Sequence, residues 1–489
     1  MMYQSTNNID QDKIFIINRS EIEGRLEPDY YRPSISLLEK KVRALATKRL
    51  RNYAYSIAGG ATPKKTEAEK YYSTPENGVP FLRVQNLQPT GELSLDGCLY
   101  INQETHNELL RRSQVSEGDL LIKITGVGRM AIASVAPKNF IGNTNQHMVV
   151  VKTKNVNTSK YLAQYLNLDI IEKIASRHST GGTRPALDYS SLKNLPIIEG
   201  LDFSAIDDAI KEKKTKEVEA QQLLNSIDGY LLKELGVVIP CVNNELKNRI
   251  FFSSFCEIEG NRIDPKKYST KVSNLCSAIR NADYEVEELN RFIVDVCSGD
   301  WGTEDCENYN RNTHIRCLTL RGTEIDNQYN ISINKDKAKT RLIKIDTYIK
   351  MSIAAGDIIV EKSGGSEEQP VGRVAFIDNE LLELHNIGFS NFLFKFKVKD
   401  INPKYLYFYL KTMYNIGVTD SMQSQTNGIR NLIVKEFLSQ IIVKPPYSKQ
   451  QEIVDYITNI QAQAKVLQAE GKAILDNAKR KVEQMIIGM

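Results

Sequence analysis

The phrase EIEG occurs twice in this chain, at Glu21–Gly24 and at Glu257–Gly260, 236 residues apart. Such an irregular phrase carries neither helical nor strand periodicity, so its recurrence points to duplication rather than to local propensity. The flanks repeat with it. KIFIINRSEIEG faces RIFFSSFCEIEG, and Tyr31 faces Tyr268. Further on, FLRVQNL aligns with LTLRGTEI, setting Arg83 over Arg321, and EGDLLIKITG aligns with AAGDIIVEKSGG, setting Gly118 over Gly356. VGRMAIASVA faces VGRVAFIDNE, NQHMVVVKTK faces SNFLFKFKVK, and KYLAQYLN faces KYLYFYLK. STGGTRPALDYSSL faces QTNGIRNLIVKEFL, with Arg184 over Arg430. Matches in one order with a slowly drifting offset describe two copies of a unit of roughly 240 residues.

Each copy has the same grammar. Short apolar strands (DLLIKI, MAIASVA, HMVVVK) alternate with Gly- and Pro-rich turns. A helical stretch opens at KYLAQYL or KYLYFYL, a short strand follows (LPIIEG or QIIVKP), and a long helix closes the copy. The last helix follows Pro445 and Pro446, with Ser448 and Gln451 spaced as a capping box. Its apolar positions are Ile453, Ile457, Ile460, Ala464, Leu467, Ile474, Ala478, Val482 and Met485, a heptad seam in which Gly471 fills the missing step. The first copy offers a weaker seam: Phe203, Ile206 and Ile210, the charged stretch KEKKTKEVE, then Ala220, Leu224, Ile227 and Leu231, stopping at Gly236. Helices at the same place in a duplicated unit, each of about 30 residues or roughly 45 Å, are expected to pair with each other.

Composition narrows the function classes. At 489 residues the chain exceeds one ordinary core. With 41% hydrophobic and 25% charged residues, it reads as a globular chain without an apolar membrane span or signal core, expected in the cytoplasm. Seven cysteines without a CxxC pair signal no zinc knuckle or redox dithiol. A net charge of +4 neither demands nor forbids nucleic acid, so local basic surfaces decide.

Two globular units, each ended by a long helix, with PPYSKQQEIVDYI opening the second helix, resemble the specificity subunit of type I restriction–modification systems. GGATPKK at Gly59–Lys65, the Gly-Asp-apolar strand and the STGGTRPAL loop carry the same resemblance, from about Lys13 to the C-terminus. LPIIEGLDFSAID departs from it, lacking the paired prolines and glutamines at the first helix. The resemblance implies an α+β chain: two pseudo-repeated target-recognition domains separated by two long helices that form an antiparallel coiled coil. The corresponding boundaries are residues 1–200 and 237–446 for the recognition domains, with helices at 201–236 and 447–489. It implies a non-catalytic subunit that reads a bipartite, gapped site on double-stranded DNA in a bacterial or archaeal cytoplasm, at the nucleoid. Two adenine methyltransferase subunits and two restriction/translocase subunits would be its partners. This chain would hold no cofactor; S-adenosylmethionine and ATP/Mg would belong to those partners.

A DNA reader needs cations for phosphates and Arg, Asn or Gln for base edges, presented on loops. In the first copy the candidates are Lys64, Lys65, Arg83, Gln85, Asn86, Lys123, Thr125, Arg129, Asn145, Gln146, His147, Arg177, His178 and Arg184. In the second they are Arg321, Thr323, Lys362, Ser363, Arg373, Asn391, Gln425, Asn427 and Arg430. The sets fall at matching places but differ in identity, as two readers of different half-sites would. The expected pairing residues are Ile206, Ile210, Leu224, Ile227 and Leu231 against Ile453, Ile457, Ile460, Leu467 and Ile474.

Two other readings compete. KPPY at Lys444–Tyr447 superficially matches the active loop of amino-methyltransferases, but lysine there offers only donors where the target amine needs an acceptor. A Gly-rich strand-to-helix turn for a methyl donor is also missing from the sequence. A protein-only scaffold on a coiled coil is compatible with the near-neutral charge.

Overall fold

The computed structural model describes residues 10–240, 250–252, 254, 263–326, 331–333, 338–366, 369–426 and 429–488. The second EIEG phrase and Asn427 lie outside the described residues, as do the side chains of Lys65 and Gln425. The chain divides into two compact units, Met1–Glu217 with Gln468–Met489, and Val218–Leu467.

In the first unit a four-stranded antiparallel sheet runs in the order Ala54–Gly59, Met148–Thr153, Leu120–Lys123, Ala133–Val135. A second four-stranded sheet runs Leu99–Ile101, Val79–Leu82, Ile141–Thr144, Gln114–Ser116. Its middle pair is parallel. Alternation of side chains at every residue explains the unbroken apolar run of the central strands. Leu120, Ile122, Val149 and Val151 pack with Leu162, Tyr165 and Leu166 of the helix Val156–Leu166. Leu121, Met148 and Val150 turn the other way, into a core with Leu82, Leu87 and Val115.

The second unit repeats the first sheet and the parallel pair of the second, whose outer strand Thr303–Glu304 lies instead on Lys339–Lys344. Ile293–Ser298, Leu393–Val398, Ile358–Glu361 and Val374–Phe376 form the matching antiparallel sheet. His314–Leu320 pairs in parallel with Ile387–Phe389, as Val79–Leu82 does with Ile141–Thr144. Helix Pro403–Asn415 takes the place of Val156–Leu166. Gly118 and Gly356 both sit at positive φ, +79° and +91°, in the turn before the central strand. One substitution inside the repeat is physically costly. Lys395, on the strand aligned with Met148–Thr153, is fully buried and donates to Asp357 at 3.1 Å and Asp295 at 3.0 Å. A buried ammonium persists only with such partners.

The long helices are Ser204–Glu234 and Tyr447–Gly488. Within the second unit Ile227, Leu231 and Leu235 share a core with Ile453, Ile457 and Ile460, Tyr230 stacks on Tyr456 at 3.9 Å, and Lys449 reaches Glu234 at 2.6 Å. Within the first unit Ile206 and Ile210 share a core with Leu475, Ala478, Val482 and Ile486, and Lys216 meets Glu470 at 2.8 Å. Numbers rise on one helix as they fall on the other, so the pairing is antiparallel. At the charged stretch the backbones come close together: a Cβ on Gly471 would lie 3.3 Å from Lys213 Cα. Leu224, Leu467 and Ile474 are half-buried in the seam.

Two details differ from the sequence reading. After Gly471 the buried positions are Leu475, Ala478, Val482 and Ile486, while Met485 is exposed. The steps of three, four and four follow the 3.6-residue period of a straight helix rather than a 3.5-residue supercoil, which moves the seam by one residue at Leu475 and at Ile486. Ser448 lies inside the last helix rather than at its cap. The helix begins at Tyr447, and Gln450 and Gln451 instead accept from the backbone and side-chain amides of Asn402, at 2.8 and 3.0 Å.

Candidate nucleic-acid interface

Four loops of the first unit are joined by backbone hydrogen bonds. Gly60 N donates to Met148 O, Ile124 N and Thr125 N both donate to His147 O (2.9 and 3.3 Å), and Gly126 N donates to Pro185 O (3.0 Å). Thr180 and Ala186 close the STGGTR loop on itself by a reciprocal pair. Gly60 is required by approach alone, since a Cβ there would stand 2.1 Å from Thr144 O. The second unit repeats the clasp. Gly299 N donates to Leu393 O, Lys362 N and Ser363 N donate to Phe392 O (2.9 and 3.3 Å), and a Cβ on Gly299 would stand 2.2 Å from Ser390 O. Here the strands Gln423–Thr426 and Ile429–Leu432 form a hairpin that pairs with Ser363–Gly365 where the first unit has the STGGTR loop.

On this common scaffold the first unit exposes Lys64, Gln146 and Arg184, with Thr125 and His147 half-buried beside them. Gln146 Oε1 receives the Thr62 hydroxyl. Asn145 is buried, its side chain accepting from His147 N at 3.1 Å. The second unit exposes Asn391 and presents half-buried Lys362, Ser363 and Arg430; Lys362 Nζ reaches Ser298 Oγ at 3.2 Å. An arrangement of ammonium, guanidinium and amide groups on pinned loop tips can pair with phosphates and with base edges.

Most of the remaining sequence candidates among the described residues lie in internal networks. Asn86 is fully buried, accepting from Arg83 N (2.8 Å) and donating to Ser94 O (2.9 Å), and Glu324 does the same turn-closing job for Arg321 N at 2.8 Å. Arg83 donates to Gly97 O at 2.7 Å, beside exposed Gln85, and exposed Thr323 donates to Glu324. Lys123 is buried and donates to Val127 O and Arg129 O at 2.7 and 2.9 Å; burial pushes its ammonium pKa down. Arg129 binds Asp169 and Asn167 O. Arg373 is buried against Glu361.

Arg177 and His178 both meet buried Glu39, with Arg43 joining at 2.6 Å. The Arg177 guanidinium also lies 4.3 Å from the centre of the Tyr30 ring. The first EIEG phrase belongs to this network. Tyr31 Oη accepts from Glu23 N and donates to Arg25 O, and Arg25 donates to Ser179 O (2.9 Å) at the root of the STGGTR loop. Sequence reasoning missed Arg25 and Glu39 as supports of that loop, because their partners stand more than 130 residues away.

A family model described as the type I restriction modification DNA specificity domain matches the chain twice, over residues 54–198 and 307–474, together more than half of it. Among solved structures, one chain from work on complex assembly and conformational transition of the type I R-M system is 15% identical, with 90% of this chain and 95% of that chain covered and a TM-score of 0.42. The type I restriction-modification S subunit from M. genitalium is 12% identical (89% and 95% covered, TM-score 0.33). The HsdS subunit from Thermoanaerobacter tengcongensis is 13% identical (90% and 94%, TM-score 0.30). No curated protein matches the sequence.

Proposed function

The chain belongs to the family of type I restriction–modification DNA specificity proteins, and we propose that it reads a split, gapped duplex site, one half with each unit. It is a DNA sequence-specificity subunit with two recognition domains. The observation that carries the finer reading is the pair of loop clusters. Backbone clasps at His147 and Phe392 are the same, while the side chains they present are different. A duplicated frame with diverged tips suits two different half-sites. Contact then falls to Lys64, Gln85, Thr125, Gln146, His147 and Arg184 in one unit, and to Thr323, Lys362, Ser363, Asn391 and Arg430 in the other. Lys65, Gln425 and Asn427 remain candidates by their position in the sequence alone. Asn86, Lys123, Arg129, Asn145, Arg177, His178, Arg321 and Arg373 shape the loops from inside, with Arg83 at the edge of that group.

In this reading the gap between half-sites is set by the antiparallel helices. The first, of 31 residues, is about 46 Å long at 1.5 Å per residue, and comparable DNA surfaces recur about every 34–36 Å. The chain supplies recognition without chemistry, and S-adenosylmethionine and ATP/Mg are held by its partners. The proposal of two methyltransferase copies is supported by exposed apolar residues that recur in the same duplication. Ile16 and its equivalent Phe252 are 99% and 96% exposed, and the paired positions Ile14 and Ile250, and Leu26 and Ile263, are exposed too. Restriction/translocase subunits join through that complex.

The test is selection of random duplexes by the full chain with its co-purifying methyltransferase, together with the methylated motif in a genome carrying it. Two short half-sites at one fixed separation are expected. A single contiguous motif, or methyl transfer by the lone chain given S-adenosylmethionine, overturns the reading.

A further inference from the structure

The residue after Asn391 differs in chemistry between the two units, Phe392 in one and His147 in the other. We infer that Phe392 makes the second unit require a thymine methyl group in its half-site, an inference that rests on the reading above. Ser390–Leu393 is a closed turn, with Leu393 N on Ser390 O at 3.0 Å, and Asn145–Met148 is its counterpart, with Met148 N on Asn145 O at 3.3 Å. Each turn is held a second time by the paired N–H groups of the neighbouring loop, on His147 O in one unit and on Phe392 O in the other. The backbone of Phe392 is therefore fixed, while its ring is 54% exposed and takes no part in the hydrophobic clusters of its unit.

A single exposed phenyl is unremarkable in general. This one stands on a pinned tip beside exposed Asn391, with Lys362 on the loop that clasps it, both candidates for DNA contact. In the major groove an A·T pair shows the adenine N6/N7 edge, which an amide side chain pairs with, and the thymine C5-methyl, which only an apolar group rewards. Asn391 and Phe392 together supply both complements. Gln146 and His147 supply an amide and an imidazole, with no apolar surface for a methyl. The second half-site accordingly contains an A·T pair read partly through its methyl group, and the first half-site draws nothing from a methyl at the equivalent place.

Deoxyuridine, which is thymidine without that methyl, is the probe. Duplexes carrying the selected site are made with each thymine of either half replaced singly, and titrated with the assembled complex of the full chain and its methyltransferase. One replacement in the second half-site is expected to weaken binding about fourfold, the worth of one buried methyl. Phe392→Ala removes that penalty, Phe392→Leu retains it, and neither changes the thermal midpoint. A second half-site without an A·T pair, no sensitive thymine within it, or a penalty that persists in Phe392→Ala overturns the inference while leaving split recognition intact. Absence of any half-site preference in the unsubstituted complex overturns the functional reading and this inference with it.

Discussion

Arg373 grips Glu361 with two parallel hydrogen bonds, Nε to Oε2 at 2.9 Å and Nη2 to Oε1 at 3.0 Å, both side chains being buried. The same guanidinium donates to Gly322 O and Ile325 O, each at 2.9 Å, so it ties the central strand to the turn Gly322–Glu324. At the corresponding places of the first unit stand Lys123 and Arg129, two cations that turn to backbone carbonyls and Asp169 instead. Equivalent frames are thus locked by different chemistry.

Glu361→Gln tests whether Arg373 is a strut. The substitution leaves a guanidinium buried without its counter-charge, which costs roughly 3–5 kcal/mol. Denaturant unfolding of the full chain should show that loss in the transition of the second unit. An unchanged unfolding curve with a relaxed second half-site would instead place Arg373 on DNA.

Glu39 gives a pH dependence. Burial by itself raises its carboxyl pKa; the hydrogen bond and charge of His178, then Arg177 and Arg43, outweigh burial and hold it at about 2, against 4.5 for a free carboxyl. A carboxylate depressed in the folded state stabilises above its unfolded pKa and ceases to do so as pH falls through the folded one. The contribution, about 3 kcal/mol at 1.36 kcal/mol per unit, is complete above pH 4.5 and lost on the way down to about 2. Thermal midpoints between pH 6 and 2.5 should fall steeply for the parent chain and less steeply for Glu39→Gln. Equal slopes would remove Glu39 from the account.

These networks mark the boundary of what was legible in the sequence. Duplication follows from recurrence of whole phrases along the chain, and the strands DLLIKI and HMVVVK, the helices at KYLAQYL and KYLYFYL and the apolar seams of the long helices follow from periodicity, which is local information. The partners of Arg177 and His178 do not. Glu39 stands 138 residues from Arg177, and nothing in RHSTGGTR announces a carboxylate beneath it. Loop composition therefore named Arg177, Lys123 and Arg373 alongside Lys64 and Arg184, although burial separates the two groups. Seam phase was lost for a similar reason. Gly471 breaks the apolar count, and past it only the course of a straight helix decides between Met485 and Ile486.

Helix length is the testable part of the split reading. Removing one heptad from each long helix at matching points keeps the antiparallel seam and shortens the rod by about 10 Å. At about 3.4 Å per base pair, the preferred gap should contract by about three base pairs, with both half-sites unchanged. Selection of random duplexes reads this directly. A gap that stays constant would show that something other than the helices sets it.

The proposed pair of methyltransferase partners can be tested at the duplicated exposed residues. Lone exposed apolar side chains are common on protein surfaces, but Ile16 and Phe252 occupy equivalent positions in the two copies and are almost wholly in solvent. Neither can contribute much burial to folding, so Ile16→Asp and Phe252→Asp should leave the thermal midpoint within about 1 °C, since surface changes of this sort fall within ±0.5 kcal/mol. A charge placed in an apolar interface is expensive. Each single substitution should therefore reduce the methyltransferase content of the purified complex from two copies to one, and the double substitution should leave the chain without either. Native mass spectrometry counts the subunits. Full occupancy in the double variant would move the docking surface elsewhere.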